Sequence, residues 1–310
     1  MDGFADFMPR SPRARRQQTL KGSIGCVGVG VHSGRRVSMQ LRPAPEYTGI
    51  VFRRTDLGMA VAARYDLVAD TRLCTVIADG AARIGTIEHV MAALSAAGID
   101  NAWIDVSGPE IPILDGSAAS ISFLIECAGI VEQTAALSPI EVRRTVRVTE
   151  GDAWAEIRPA APGAAGLSLS LTIDFPAPAI GRQSRDITLD EASFKGQLAR
   201  ARTFALAQEI EALQAAGLAR GGSLDNAVVV DGAEVLNPGG LHYPDEFVRH
   251  KLLDAVGDLA LAGAPLVGHF VGYKSGHGLN NRLLRALFAD TSAWWTEPTY
   301  APEAVALEPA

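Results

Sequence analysis

Cysteine is scarce in this chain. The 310 residues hold Cys26, Cys74 and Cys127, too few and too scattered for a disulfide framework or a cysteine-based zinc finger. Lysine is scarce as well: of 28 basic residues only Lys21, Lys195, Lys251 and Lys274 are lysine, so each merits separate attention. A positive excess is missing. Acidic residues number 35, the formal net charge is −7, and this argues against a nucleic-acid partner or an anionic membrane surface. No uninterrupted apolar run approaches the ~20 residues of a transmembrane segment. The N-terminus lacks a signal-peptide core, and its Asp2 and Asp6 suit a transit peptide poorly. No repeat of solenoid length appears. What remains is an acidic chain expected in a reducing cytoplasm, 48% hydrophobic and 20% charged, as globular enzymes and binding proteins are. At ~150 residues per domain it is long enough for two.

Residues 1–16, with Arg10, Arg13, Arg15 and Arg16 around Pro9 and Pro12, read as an extension ahead of the first strand. Residues 291–310 read as a loosely docked, proline-containing tail. Between them strand-like and helix-like segments alternate. Residues 36–42 alternate with period two and end at Pro43, a half-buried strand. Residues 86–97 form an apolar helix closed by Gly98; a strand at 102–106 and a helix at 118–128 follow. Residues 135–139, polar to small and ending in proline, read as an inter-domain link. A second pass has strands at 139–149, 167–175, 227–230 and 266–273, with helices at 190–201, 208–216, 248–262 and 280–289. The fold class is therefore α+β in two comparable halves, 17–136 and 137–290.

Chemistry concentrates in three places. Thr86-Ile-Glu88-His89 opens an otherwise apolar helix. A carboxylate there complements the helix dipole, but a cationic imidazole would not, so His89 reads as a neutral ligand or a hydrogen-bonded core histidine. His250, Asp254 and Asp258 are spaced i, i+4, i+8 and project from nearly one helix face. A histidine and a carboxylate four apart can hold one metal ion from successive turns; the alternative is a solvated charged face with Arg249 and Lys251 as partners. Residues 273–281 run from a strand into a glycine-flanked turn presenting His277, then into a helix whose Asn280 and Asn281 read as caps. A loop histidine can deliver protons or merely sit exposed. Together the three clusters supply two imidazoles and a carboxylate as ligands, with a spare carboxylate, imidazole and aspartate. Those are the parts of a metal-assisted hydrolase, and the absence of cysteine from the set argues against a purely structural metal.

These segments resemble one family, the zinc-dependent UDP-3-O-acyl-N-acetylglucosamine deacetylases of lipid A biosynthesis. The resemblance spans about residues 17–289. It includes Gly28-Val-Gly-Val-His-Ser-Gly34, Thr86-Ile-Glu-His89, Ile111-Pro-Ile-Leu-Asp-Gly-Ser117 and Ala201-Arg-Thr-Phe204. It continues through Gly221-Gly-Ser-Leu-Asp-Asn226, Asp245-Glu-Phe-Val-Arg-His-Lys251 and Lys274-Ser-Gly-His-Gly-Leu-Asn-Asn281.

The resemblance implies removal of the 2-acetyl group as acetate, with one zinc ion per chain (ferrous iron the alternative) held by His89, His250 and Asp254. It implies Glu88 as general base, His277 as general acid held cationic by Asp258, and Thr203 as oxyanion stabiliser. Lys251 would meet the substrate diphosphate, Phe175 would pack near the uridine, and Leu73, Cys74 and Gly222 would border the substrate pocket. An insert at about 204–230, Phe204 foremost, would wall the acyl chain. The implied fold is two similar domains, each a sheet with helices and a small insert, their helix layers sandwiched between the sheets, in a monomer. Gly278 departs from the alanine frequent in the family after the acid histidine, and Ala205-Leu206 alters one wall near the acyl passage. Two rival readings are a zinc amidohydrolase acting on a non-lipidated amino sugar and a zinc-stabilised binding protein without catalysis. The apolar insert speaks against the first, and Glu88, His277 and Asp258 against the second.

Overall fold

The computed structural model describes residues 15–297; the expected N-terminal extension before Arg15 and the tail after Glu297 lie outside the described residues. Among the described residues there are six α-helices: α1 (Glu88–Ala96), α2 (Ala119–Ala128), α3 (Glu191–Gln197), α4 (Ala207–Ala215), α5 (Glu246–Ala260) and α6 (His277–Ala289). No described helix is long and apolar enough to cross a membrane.

The first half is built on a five-stranded sheet, ordered Ile24–Val29, Arg36–Pro43, Ala102–Val106, Ile50–Arg54, Met59–Ala62. Its alternating sequence is obeyed: Val37, Met39 and Leu41 are buried while Arg36, Ser38 and Gln40 face out. The second half is built on a seven-stranded sheet around Leu266–Tyr273. That strand pairs antiparallel with Ala153–Arg158 and parallel with Leu167–Asp174. The parallel pair needs a crossover, and the chain between the two strands contains α5. Each half also carries a small three-stranded sheet. One comprises Val68–Asp70, Val76–Asp79 and Ala82–Ile84; the other Phe204–Leu206, Val228–Asp231 and Glu234–Val235. The fold is α+β in two halves, as the sequence implies.

Several local expectations are revised. Residues 135–139 are not simply a link, because Ile130–Leu137 pairs antiparallel with Arg15–Leu20. Arg15 and Arg16 thus belong to the first strand, and Arg15 reaches both oxygens of Asp100 at 2.6 Å. The start of the expected loose tail is also docked, since Trp294–Trp295 pairs with Ile140–Val142. The helix at 190–201 is shorter: Asp190 and Ser193 form a reciprocal capping box, and the helix stops at Gln197. Beyond that early stop, the Ala201 carbonyl meets His250 of α5.

The two halves meet where α1 packs against α5. The five residues after His89 on α1, Val90 to Leu94, are buried, so this helix has no solvent face over its first two turns. On α5 the buried set includes His250, Asp254, Gly257 and Asp258. Gly257 makes the approach feasible, since a Cβ there would overlap the backbone carbonyl of Glu88. Helix interiors favour alanine over glycine by about 1 kcal/mol, so this glycine is kept for space. Gly257→Ala should therefore destabilise the fold by about 1–3 kcal/mol, the usual cost of overpacking, and lower turnover as Glu88 and His89 move. Gly196→Ala is the matched control: it lies on α3 with nothing within 4 Å of a new Cβ, so its melting temperature should hold or rise. Equal melting temperatures and turnover for Gly257→Ala and the parent would contradict the close-crossing argument.

Candidate active site

α1 begins after an unusual turn. Thr86 has φ +59°, a left-handed conformation costly for a β-branched residue, and its hydroxyl donates to Glu110 at 3.2 Å. The turn directs Glu88 and His89, the first two residues of α1, into the junction with α5. At the start of α5, Glu246 is fully buried and accepts from the backbone N–H of Arg202 at 3.0 Å and from its guanidinium at 2.9 and 3.1 Å. This pairing ties residues 201–203 to α5. The carbonyl of Ala201 accepts from His250 Nδ1 at 3.0 Å, and Thr203 donates its N–H to the carbonyl of Gly116. With its proton on Nδ1, His250 presents the lone pair of Nε2 to the cluster.

His89, His250 and Asp254 come together. Their ligand atoms lie within 4.8 Å of one another, and all three side chains are buried. Asp254 Oδ1 is 3.3 Å from His250 Nε2 and 3.7 Å from His89 Nε2. It is a buried oxygen with no hydrogen-bond partner, whereas Oδ2 accepts from Lys251 Nζ at 2.7 Å. Burial and the neighbouring His250 hold His89 down to about 3, and burial also lowers His250, so both rings are neutral. Burial alone would raise Asp254, but the positive charge around it, which with both these rings neutral comes from Lys251 and His277, overrides it and keeps the group ionised. Two neutral imidazoles and an unpaired carboxylate oxygen converging in the interior repel one another or waste desolvation unless a cation lies among them. The donor set fits a divalent metal of the borderline kind, with three protein ligands and room for a fourth.

Beside this cluster lie the remaining ionisable groups. Burial is the largest influence on Glu88 and raises it to about 7, with Asp254 and Asp258 adding to the rise against the opposing charge of His277. Its Oε2 accepts from the Thr75 N–H at 3.0 Å. Burial pushes His277 down, yet the charge and hydrogen bond of Asp258, helped by Glu88, carry it up to about 9. The His277 Nδ1–Asp258 Oδ2 distance is 2.9 Å, and His277 Nε2 lies 3.9 Å from Asp254 Oδ2. A carboxylate able to take a proton near neutrality thus stands opposite an imidazolium able to give one.

A cavity of about 340 Å³ opens over these groups. Glu88, His89, His250, Asp254, His277 and Thr203 line it, and so do Leu73, Cys74, Phe204 and Gly222. Its far wall is apolar, with Ile210 and Leu213 of α4 and Leu224 after it. Leu73 is exposed and takes φ +67°, turning the chain at the rim. Burial and Glu88 push the Cys74 thiol up to about 12, so it stays neutral and is no rival for the metal. Phe204 packs edge-on against Phe175, Phe247 and the His250 ring. Phe175 and Lys251 do not line the cavity. Phe175 backs Phe204, and the Lys251 ammonium is engaged by Asp254.

Three features depart from the sequence reading. His277 is not on a loop but is the first residue of α6, after Gly276 in extended conformation. Asn280 is not a helix cap. Inside α6 it donates to Asp258 Oδ2 at 2.8 Å and its carbonyl oxygen accepts from Ser275. Thr75, not singled out beforehand, donates its hydroxyl to Asp258 Oδ1 at 2.5 Å. Its adjacency to Leu73-Cys74 was the available signal.

Fold and site define the class: a two-half α+β protein whose buried His–His–Asp cluster lies beside a raised carboxyl and a cationic imidazole, an arrangement that suits a metal-dependent hydrolase. The LpxC family model, described as UDP-3-O-acyl N-acetylglycosamine deacetylase, matches residues 17–289, and the chain belongs to that family. Named UDP-3-O-acyl-N-acetylglucosamine deacetylases are similar to it. The protein of Acidithiobacillus ferrooxidans is 51% identical over 283 residues, and that of Haemophilus influenzae 52% over 284. In both cases 90% of this chain and 92% of the relative are covered.

The metal assignment has a direct check. His250→Ala and Asp254→Ala should each lower metal retention on dialysis against a mild chelator, by more than the ~10-fold that loss of an outer-shell partner costs. Cys74→Ala should leave retention unchanged. Parental retention in both ligand variants would overturn the His–His–Asp set.

Proposed function

We propose that this chain hydrolyses the 2-acetamido group of UDP-3-O-acyl-N-acetylglucosamine, releasing acetate and the free amine in the committed step of lipid A biosynthesis. The observation that carries this reading is the meeting, at one apolar-walled cavity, of an unpaired Asp254 oxygen, two neutral imidazoles, Glu88 and His277. The cofactor is one zinc ion per chain, with ferrous iron as the alternative, held by His89, His250 and Asp254. When bound there, it supplies Lewis-acid polarisation of the amide carbonyl and acidifies water.

The remaining chemistry belongs to the chain. Glu88 takes one proton from the attacking water onto its carboxylate, a role that requires it ionised. His277 gives the Nε2 proton to the amide nitrogen, so nitrogen leaves as an amine. Asp258 holds the ring by its Nδ1–H and keeps it cationic until that transfer. Thr203, on the cavity wall, helps stabilise the oxyanion that forms on the carbonyl carbon's oxygen. Phe204 with Ile210, Leu213 and Leu224 offers an apolar wall to the acyl chain. That wall favours a lipidated substrate over a bare amino sugar, and a binding protein without catalysis would need neither Glu88 nor His277. Lys251 orients Asp254, and contact with the substrate diphosphate requires its ammonium to swing off Oδ2. Phe175, which backs Phe204, packs near the uridine. The division into 17–136 and 137–290, with an insert at 204–230, makes the halves two jaws of this one site. A cytoplasmic monomer suits a nucleotide-sugar substrate.

Glu88→Gln and His277→Ala should each lower kcat by at least ~10²-fold while metal content stays at one ion per chain, read by acetate release and elemental analysis. For the parent, kcat/KM should rise with pH as Glu88 loses its proton and fall as His277 loses its own. Without metal those groups sit at about 7 and about 9, and a bound cation lowers both. Near-parental activity in either variant, or a profile that never falls at high pH, would refute the acid–base assignment.

A further inference from the structure

We infer that Thr75 is a positioning residue that couples the two proton-transfer groups, fixing the base through its backbone and the acid through its hydroxyl. The inference rests on the deacetylase reading above and concerns how that site is held.

Thr75 lies between the strands Val68–Asp70 and Val76–Asp79, in the small sheet of the first half, and is 2% exposed. Every polar group it owns is used across the site. Its N–H donates to Glu88 Oε2 at 3.0 Å, its carbonyl accepts from the N–H of Ile87 at 3.4 Å, and its hydroxyl donates to Asp258 Oδ1 at 2.5 Å. The first two bonds secure the entry of α1 and the base. The third crosses to α5 in the other half, where Asp258 is held.

The consequence follows from counting donors on the Asp258 carboxylate. Oδ2 accepts from His277 Nδ1 at 2.9 Å and from Asn280 Nδ2 at 2.8 Å; Oδ1 accepts from Thr75. With donors on both oxygens, the carboxylate cannot turn about its Cβ–Cγ bond without breaking one of them. The His277 ring is thereby aimed, its Nε2 toward Asp254 and the cavity. Without the threonine hydroxyl, Oδ1 becomes a buried, unpartnered carboxylate oxygen. The carboxylate is then free to turn, and His277 with it. Small misplacements of a reacting group cost large factors in rate. Thr75 is itself neither one of the converging ligand residues nor one of the residues lining the cavity, so its action runs through Asp258 and Glu88.

The test compares Thr75→Val, which keeps the shape and the backbone N–H but removes the hydroxyl, with Thr75→Ser, which restores it. Each is assayed with the metal-loaded protein for acetate release from the acylated nucleotide sugar. The valine variant should lose ~10-fold or more in kcat with KM within twofold of the parent, and serine should recover most of the loss. Metal content should be unchanged in both. In an Asp258→Asn background the valine change should cost less than threefold further, because the bond it removes has lost its charged acceptor. Thr75→Ala supplies the same comparison if the valine protein does not fold. Parental kcat in the hydroxyl-less variant, a loss confined to KM, or full additivity with Asp258→Asn would overturn the positioning role. A parent protein that releases no acetate would instead sink the deacetylase reading on which it rests.

Discussion

Everything in this structure depends on how closely α1 can approach α5. The two helices come from different halves, and their contact at Gly257 brings the backbone of Glu88 against the space where a side chain would stand. The ionisable side chains of the site are divided between them: Glu88 and His89 on one side, His250, Asp254 and Asp258 on the other. A shift of one helix by the width of a methyl group would separate His89 from His250 and Asp254. The buried apolar surface of both helices holds this distance, since packed interiors resist small displacements.

Burial then does the electrostatic work. It keeps the imidazoles of His89 and His250 neutral, the form in which a histidine can hold a metal, and it raises Glu88 to about 7. The same burial would neutralise His277 but for the facing charge of Asp258. One environment therefore leaves two histidines neutral and a third cationic, and what sets His277 apart is the carboxylate hydrogen-bonded to its Nδ1. The partner of His250 is the Ala201 carbonyl, a neutral acceptor, whereas His277 has a carboxylate. At His277 the hydrogen-bonded Asp258 carboxylate outweighs burial; at His250, burial outweighs the nearby Asp254.

Much of this was legible from residue order. Period-two alternation marked the strand Arg36–Pro43, Gly98 marked the end of α1, and the i, i+4, i+8 spacing placed His250, Asp254 and Asp258 on one face. What escaped shares a physical cause: contacts between distant segments carry no periodic signal. Thr75 meets Asp258 across 183 residues, and beyond its place next to Leu73-Cys74 nothing local points to that contact. His277 read as a loop residue because glycine stands on both sides, yet extended Gly276 starts the helix without a capping side chain. Asn280 looked like a cap for the same reason, its true acceptor lying 22 residues back on α5. Roles on Lys251 came from resemblance, and its actual bond to Asp254 follows from the three-residue spacing on α5.

The central claim is that these two halves close on one amide and hydrolyse it. It is tested most directly by mass spectrometry of UDP-3-O-acyl-N-acetylglucosamine after incubation with the zinc-loaded protein, beside the same nucleotide sugar without its acyl chain. The account predicts loss of a single acetyl group from the acylated compound, much slower loss from the bare one, and none after the metal is stripped. An acylated substrate that keeps its acetyl group in the presence of metal-loaded protein would contradict it.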